Sequence, residues 1–211
     1  MLICLISRIA FSQSDNMLGI GVIRLSNPTG TLKFYGDTTK NIENKQIPFS
    51  KSESNLKTIE SNNFLTPIQP MEFDGDGNLL NLDLICLDKK NNWYYVNIHY
   101  GSVEKYWVKI DSSLTFSTWD DYLKSMLCIT RKKITDKIYK TTDLKSDTID
   151  FKKYECFRVL EISGNWMKIG YYQDSTDKYN GDTIYIGGPI IDLGWIIWRD
   201  SNSLLINYYE N

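Results

Sequence analysis

Two stretches of this chain repeat one local pattern. Lys89-Lys90-Asn91-Asn92-Trp93-Tyr94-Tyr95-Val96-Asn97-Ile98 and Ile162-Ser163-Gly164-Asn165-Trp166-Met167-Lys168-Ile169-Gly170-Tyr171 each run through a turn, then Asn-Trp, then an alternating strand. Flanking segments match in the same order. Upstream, Phe34-Tyr35-Gly36-Asp37-Thr38 aligns with Ile138-Tyr139-Lys140-Thr141-Thr142; downstream, Tyr106-Trp107-Val108-Lys109-Ile110 aligns with Gly194-Trp195-Ile196-Ile197-Trp198. Internal repetition reveals an architecture that single motifs cannot.

The units so repeated are built of strands. Short aromatic and β-branched runs are punctuated by turn residues along the whole chain, the signature of a sandwich or barrel rather than an α/β fold. Fourteen Tyr and six Trp in 211 residues suit the half-buried surface of a sheet, and the scarcity of Ala disfavours helix. Strands are expected at Ile20 to Leu25, Thr31 to Tyr35, Leu79 to Leu87, Trp93 to Tyr100 and Tyr106 to Ile110. In the second half they are expected at Lys137 to Lys140, Tyr154 to Ile162, Trp166 to Tyr172, Thr183 to Ile186, Gly194 to Trp198 and Ser203 to Tyr208. Ser117 to Leu123 reads as one capped helix, with a hydroxyl start and acidic residues in its first turn. It is the candidate boundary between two units, with Trp119 and Tyr122 docking it onto a barrel. Two polar insertions, residues 40–63 and 173–180, read as an exposed loop and a hairpin tip. Gly187-Gly188-Pro189 reads as a turn.

These motifs resemble the bacterial SH3-like domain family. Ile138-Tyr139 with the polar loop after it is similar to the family's opening strand, Gly164-Asn165-Trp166-Met167-Lys168-Ile169 to its central turn-Trp strand, and Gly194-Trp195-Ile196 to its closing element. The resemblance covers residues 135–211 and, more loosely, 30–110, where Tyr106 replaces the closing Gly. It implies an all-β chain of two tandem SH3-like small β-barrels with a short linking helix. The divergent barrel would span residues 19–125 and the clearer one 127–211.

Strand alternation separates core from surface. On the second central strand Met167, Ile169 and Tyr171 share the core face, leaving Trp166, Lys168, Gly170 and Tyr172 on the other. In the first copy Tyr94, Val96 and Ile98 face the core, leaving Trp93, Tyr95, Asn97 and His99 on the polar side. The family resemblance implies an aromatic groove for ligand built from the opening, central and closing elements. Its candidates are Tyr139, Trp166, Tyr172 and Trp195, with Tyr35, Trp93, Tyr95 and Trp107 in the first copy. Ile197 stands where peptide-binding members carry a groove proline, which speaks against polyproline recognition. The competing reading has these aromatics pack between barrels.

Catalytic patterns are scarce. His99 is the only histidine, so general-base chemistry would rest on it alone. A Cys-His peptidase is the enzyme often joined to bacterial SH3-like domains, yet Cys86 sits inside the apolar run Leu84-Ile85-Cys86-Leu87, not at a helix start or strained turn where a thiolate is activated. Asp74-Gly75-Asp76-Gly77-Asn78 fails as a calcium loop, because Leu79 and Ile85 stand where the EF-hand supplies Gly and Glu. A hairpin turn fits it better. No metal, cofactor or catalytic residue is therefore expected.

A formal charge of −2 without a basic stripe argues against nucleic acid, and no run approaches the roughly 18 apolar residues of a membrane span. Residues 1–12, an apolar run ending Ala10-Phe11-Ser12, read as a signal peptide, although Arg8 interrupts it. The mature chain would then hold Cys86, Cys128 and Cys156 without metal-ligand spacing, and a Cys128–Cys156 bridge is a matter for geometry. The sequence thus points to an exported, periplasmic or extracellular, non-catalytic module that binds a protein, peptide or cell-wall glycan. A structural subunit and a Cys-His cell-wall hydrolase are the alternatives.

Overall fold

The computed structural model describes residues 18–26, 30–39, 43–49, 72–73, 79–98, 104–133, 136–151, 156–179, 182–200 and 203–209. The first half contains β1 (Gly21–Ser26), β2 (Gly30–Tyr35), β3 (Glu43–Phe49), β4 (Glu72–Phe73), β5 (Leu79–Lys90), β6 (Trp93–Asn97), β7 (Lys105–Lys109) and β8 (Leu114–Thr118). Helix α1 (Trp119–Ser125) follows, then β9 (Cys128–Arg131), β10 (Ile138–Tyr139), β11 (Thr148–Ile149), β12 (Arg158–Ser163), β13 (Trp166–Tyr179), β14 (Asp182–Ile197) and β15 (Ile206–Tyr209). The described fold is all-β with one helix, as the aromatic and β-branched runs require.

The two halves share one strand order. In the first sheet it is β3-β2-β7-β6-β5-β1-β8, with β4 as an additional strand on β5. In the second half β11-β10-β14-β13-β12 form a sheet, β9 pairs with β15, and a bridge between Ile129 and Phe157 lays β9 beside the entry to β12. Taken in chain order, strand for strand, the second series matches the first.

The match extends to single residues. In the β5–β6 hairpin, Cys86 pairs with Val96 and Asp88 with Tyr95, leaving Leu87 as a bulge. In the β12–β13 hairpin, Val159 pairs with Ile169 and Glu161 with Lys168, leaving Leu160 as the bulge. The turn between strands opens on a left-handed residue in both, Asn91 at φ 51° and Gly164 at φ 59°, a conformation that Gly and Asn adopt at low cost. The closing strands even return the same backbone bond: Ile110 N donates to Asn92 O at 2.9 Å, and Trp198 N to Asn165 O at 3.1 Å.

Alternation on the central strands is as expected over their first residues. Tyr94, Val96 and Ile98 are buried in one half, Met167 and Ile169 in the other, while Trp93, Tyr95, Trp166 and Lys168 are half-buried. A second bulge lies opposite Ile169/Gly170, where Leu193 of β14 is the extra residue. Tyr171, expected in the core, is half-buried and packs on Phe151 at 5.0 Å, which itself packs against the core. Asn97, expected on the polar side, is buried as well.

Several connections expected as loops are strands. Residues 43–49, inside the expected loop 40–63, form β3 and pair with β2 from Gly30↔Phe49 to Tyr35↔Glu43. Backbone pairing with β2 here outweighs the polar composition. Gln173 to Tyr179 and Gly187-Gly188-Pro189 are not tip and turn but continue β13 and β14, paired out to Tyr179↔Asp182. Pro189 is tolerated because it follows a bulge at Tyr172/Asp174, on a stretch where β14 has β13 as its neighbour. Short β8, β9 and β11 lay below the sequence signal. The leader at 1–12, the Asp74–Asn78 turn and His99 lie outside the described residues.

The helix begins two residues later than its hydroxyl-acidic signature suggested. Thr118 is the N-cap, its Oγ1 accepting from Asp121 N at 3.1 Å. Trp119, Tyr122 and Leu123 are buried in a cluster that takes Leu18, Val22 and Ile85 from the first half and Phe157, Met167 and Trp198 from the second. Trp119 Nε1 donates to Leu18 O at 2.8 Å, and its ring lies 5.7 Å from that of Trp198. Tyr122 donates its hydroxyl to Asp83 Oδ2 at 2.6 Å. Arg24 completes this group, its Nε and Nη2 reaching the two carboxylate oxygens of Asp83 at 2.8 and 2.6 Å.

In the second half the place of Asp83, three residues before the paired position that precedes the bulge, belongs to Cys156. Cys156 is disulfide-bonded to Cys128, with Cα atoms 5.0 Å apart, inside the range a bridge needs. Both halves thus tie the first strand to the fourth strand of the repeat from this position, one by an ion pair and one covalently, although on the first strand Cys128 matches Val22 and not Arg24.

Asp83→Ala, which strands a guanidinium and a phenol, should cost about 2–4 kcal/mol, and Tyr122→Phe about 1–2 kcal/mol. Reduction of the bridge, which spans 28 residues, should cost about 3–4 kcal/mol. Urea unfolding of the variants, and of the wild type with and without reductant, measures all three. Loss of less than about 0.5 kcal/mol on Asp83→Ala would show that the ion pair is not a structural tie.

Candidate functional site

On the face of each sheet away from the core, aromatics of three strands meet. In the first half Tyr35 of β2 pairs in register with Trp107 of β7, which pairs with Tyr95 of β6. The Tyr35 and Trp93 rings meet edge to face, 5.0 Å apart at 80°. Tyr95 and Trp107 lie 4.8 Å apart. In the second half Tyr139 of β10 pairs with Trp195 of β14, which pairs with Lys168 of β13. The Tyr139 and Trp166 rings meet edge to face, 5.3 Å apart at 89°.

These are the same site made twice. Tyr35 and Tyr139, Trp93 and Trp166, and Trp107 and Trp195 hold matching register positions. The fourth position differs, being Tyr95 in one half and Lys168 in the other. Lys168 Nζ lies 5.9 Å from the centre of the Trp195 ring and 2.6 Å from Asp192 Oδ2. That hydrogen bond raises the Lys168 pKa, so the ammonium charge over the indole is secure at neutral pH.

All seven of these aromatics are half-buried: their edges pack on each other and the rest of each ring meets solvent. A T-shaped aromatic pair contributes about 0.5–1.5 kcal/mol beyond area burial, so each Tyr holds its Trp without covering it. Tyr172, the eighth candidate, stands apart. It lies between the two bulges of the β13–β14 pairing, is 45% exposed, and packs under Arg158 at 5.9 Å.

One glycine makes the second copy possible. Gly194 has φ +149°, and a Cβ there would stand 2.6 Å from Tyr139 O. The missing side chain lets β14 pass close enough for Tyr139 to pair with Trp195. In the sequence this Gly was visible as part of the closing motif. The docking of Trp119 was expected, whereas the roles of Trp198 and Tyr208 between the halves were not, because their burial depends on contacts across the repeat.

Cys86 is fully buried and donates to Asp88 O at 3.3 Å. Burial pushes its thiol pKa up to about 12, the opposite of an activated nucleophile. Val159 occupies the matching position of the second half, where only packing is required. Among the described residues no group of three or more His, Cys, Asp or Glu side chains could hold a metal ion. No helix among the described residues is long and apolar enough to cross a membrane.

No family model matches the sequence, and no curated protein matches it. Among solved structures the chain is similar to that titled "Structure of NlpC2 from Trichomonas vaginalis", with 14% identity and a TM-score of 0.31. The likeness covers 81% of this chain and 46% of the other, so the chain spans about half that protein's length.

Thiol reactivity of Cys86 is directly testable. In the folded protein with its disulfide intact, a thiol reagent at about pH 8 should label nothing at Cys86, and labelling should appear only on unfolding. The raised pKa also sets a pH dependence: the unfolded thiol ionises from about 8.5 and the folded one does not until about 12. Stability should therefore fall as pH rises through that window, and Cys86→Val should flatten the fall. Rapid labelling of native protein would contradict the burial.

Proposed function

We propose that the chain is a non-catalytic binding module made of two SH3-like β-barrel units, which receives a peptide or glycan of the cell envelope on its outward aromatics. The observation that carries this reading is the double occurrence of the Tyr–Trp edge-to-face pair. A pair needed only for packing would be buried, whereas Tyr35–Trp93 and Tyr139–Trp166 sit on the solvent side of their sheets, each next to a second Trp. Rigid aromatic rings held by their neighbours are effective contact surfaces, since they lose little conformational freedom on binding.

The SH3-like assignment is supported by the order of elements. The resemblance places groove aromatics on the opening, central and closing elements, and the pairing of β10 with β14 and of β14 with β13 sets those elements side by side. An exported location is our reading of the apolar leader, and the Cys128–Cys156 bridge fits an oxidising compartment. The aromatics that join the halves are a different set, namely Trp119, Tyr122, Trp198 and Tyr208, so the outer pairs are not needed for that purpose.

The test is retention on immobilised cell-wall material containing both glycan strands and their peptides. Wild type should be retained, and Trp166→Ala should lose retention about tenfold or more while keeping its unfolding midpoint. Wild type that passes through unretained, or a Trp166→Ala variant retained equally, would overturn the proposal.

A further inference from the structure

Beside the second aromatic set lies a cleft of about 250 Å³, reached by the Tyr139 ring. That is room for a side chain or two, below the roughly 300–1,000 Å³ of sites that enclose whole small ligands. Its floor is aliphatic, formed by Ile196, Ile197, Leu205 and Ile206. Its rim carries Arg131, Lys132, Lys133 and Lys137 against the single carboxylate of Asp136. In a chain of formal net charge −2 this is a local reversal of sign.

The arrangement is built. Arg131 is 8% exposed and is held in place by its neighbours, donating to Asp136 O at 2.6 Å and Phe151 O at 3.3 Å and lying 5.9 Å from the centre of the Phe157 ring. Asp136 turns its Oδ2 to the backbone, accepting from Lys133 N at 3.2 Å. Lys132, Lys133 and Lys137 are exposed. The repeat shows that the scaffold does not require this charge: register places Arg131 where the first half has Leu25, and Ile197 where it has Lys109. At these two positions the cleft is therefore particular to the second half. Ile197 pairs with Trp166 and Tyr139 touches Trp166, so the cleft and the outer aromatics form one continuous surface.

We infer that the ligand of this face is an acidic peptide, whose carboxylates meet the basic rim while a neighbouring apolar side chain fills the aliphatic floor against Tyr139. The inference rests on the reading of the Tyr139–Trp166 face as a binding face, and it narrows the ligand class. A neutral glycan would leave the rim unused, and a bare polyanion would leave the floor unfilled.

The experiment titrates the full chain with acetyl-Leu-Asp-Phe-Glu-amide and, separately, with acetyl-Leu-Asn-Phe-Gln-amide, which has nearly the same shape without the charges. Wild type should favour the acidic peptide about tenfold or more, with the preference collapsing in about 1 M salt. The triple variant Lys132→Ala/Lys133→Ala/Lys137→Ala should bind both peptides alike. Should that variant fold poorly, the salt series on wild type still decides. Equal affinity for the two peptides, a preference that persists in high salt or in the variant, or no binding of either peptide would overturn the inference. Retention on cell-wall material lost in Trp166→Ala would stand apart from those outcomes, since it reports on the aromatic face and not on the charge.

Discussion

A carboxylate buried to 4% exposure governs how this chain holds together. Asp83 could not remain ionised inside without partners, because desolvating an unpaired charge costs several kcal/mol. Its two oxygens are taken by the fork of Arg24 and by the Tyr122 hydroxyl, so one residue of β5 is bonded to β1 beside it and to α1. Arg24 also lies 5.6 Å from the Tyr122 ring, and that ring meets Tyr208 of β15 at 5.7 Å. Burial, with Tyr208 and Asp83 close by, pushes the Tyr122 phenol well above its usual range, so it stays a donor. The one helix is thereby seated on the first sheet by a polar tie and on the second half by apolar contact.

Because the chain repeats its strand order, that tie can be compared with its counterpart. Cys156 occupies the place of Asp83, and it too links the first strand of its unit, through Cys128. The requirement common to the halves is a cross-tie between two neighbouring strands. Asp83 Oδ2 accepts from Tyr122 as well as from Arg24, while the disulfide offers nothing to a helix. The helix therefore docks its hydroxyl on the first half and only its apolar side chains on the second.

Much of this was legible in the sequence, and what was not has physical causes. The Asn-Trp strands, their left-handed turns and the closing elements follow local rules of period and turn chemistry, so the alignment of Trp93 with Trp166 and of Trp107 with Trp195 agrees with register. Both hairpin bulges escaped notice, since Leu87 and Leu160 look like any other apolar strand residue, as does Leu193, the extra residue opposite Ile169 and Gly170. Strand β3 was hidden because Glu43 to Phe49 has a loop's composition and becomes a strand only through pairing with β2. The basic cleft was invisible for a related reason: Arg131 and Leu205 are far apart in sequence and are brought together by the pairing of β9 with β15.

Duplication also explains where the halves are free to differ. Positions that set register and core, such as Val96 and Ile169 or Val108 and Ile196, keep their apolar character because a slip of one residue would turn every side chain to the wrong face. Outer positions carry no such penalty, and there the copies part: Tyr95 against Lys168, Lys109 against Ile197. The Tyr–Trp pair and the second Trp beside it, Trp107 or Trp195, are kept on the outer face of both. A feature retained where packing does not demand it, beside positions that have changed freely, is what the proposed recognition surface rests on, and on that proposal the changed neighbours would give each copy its own ligand.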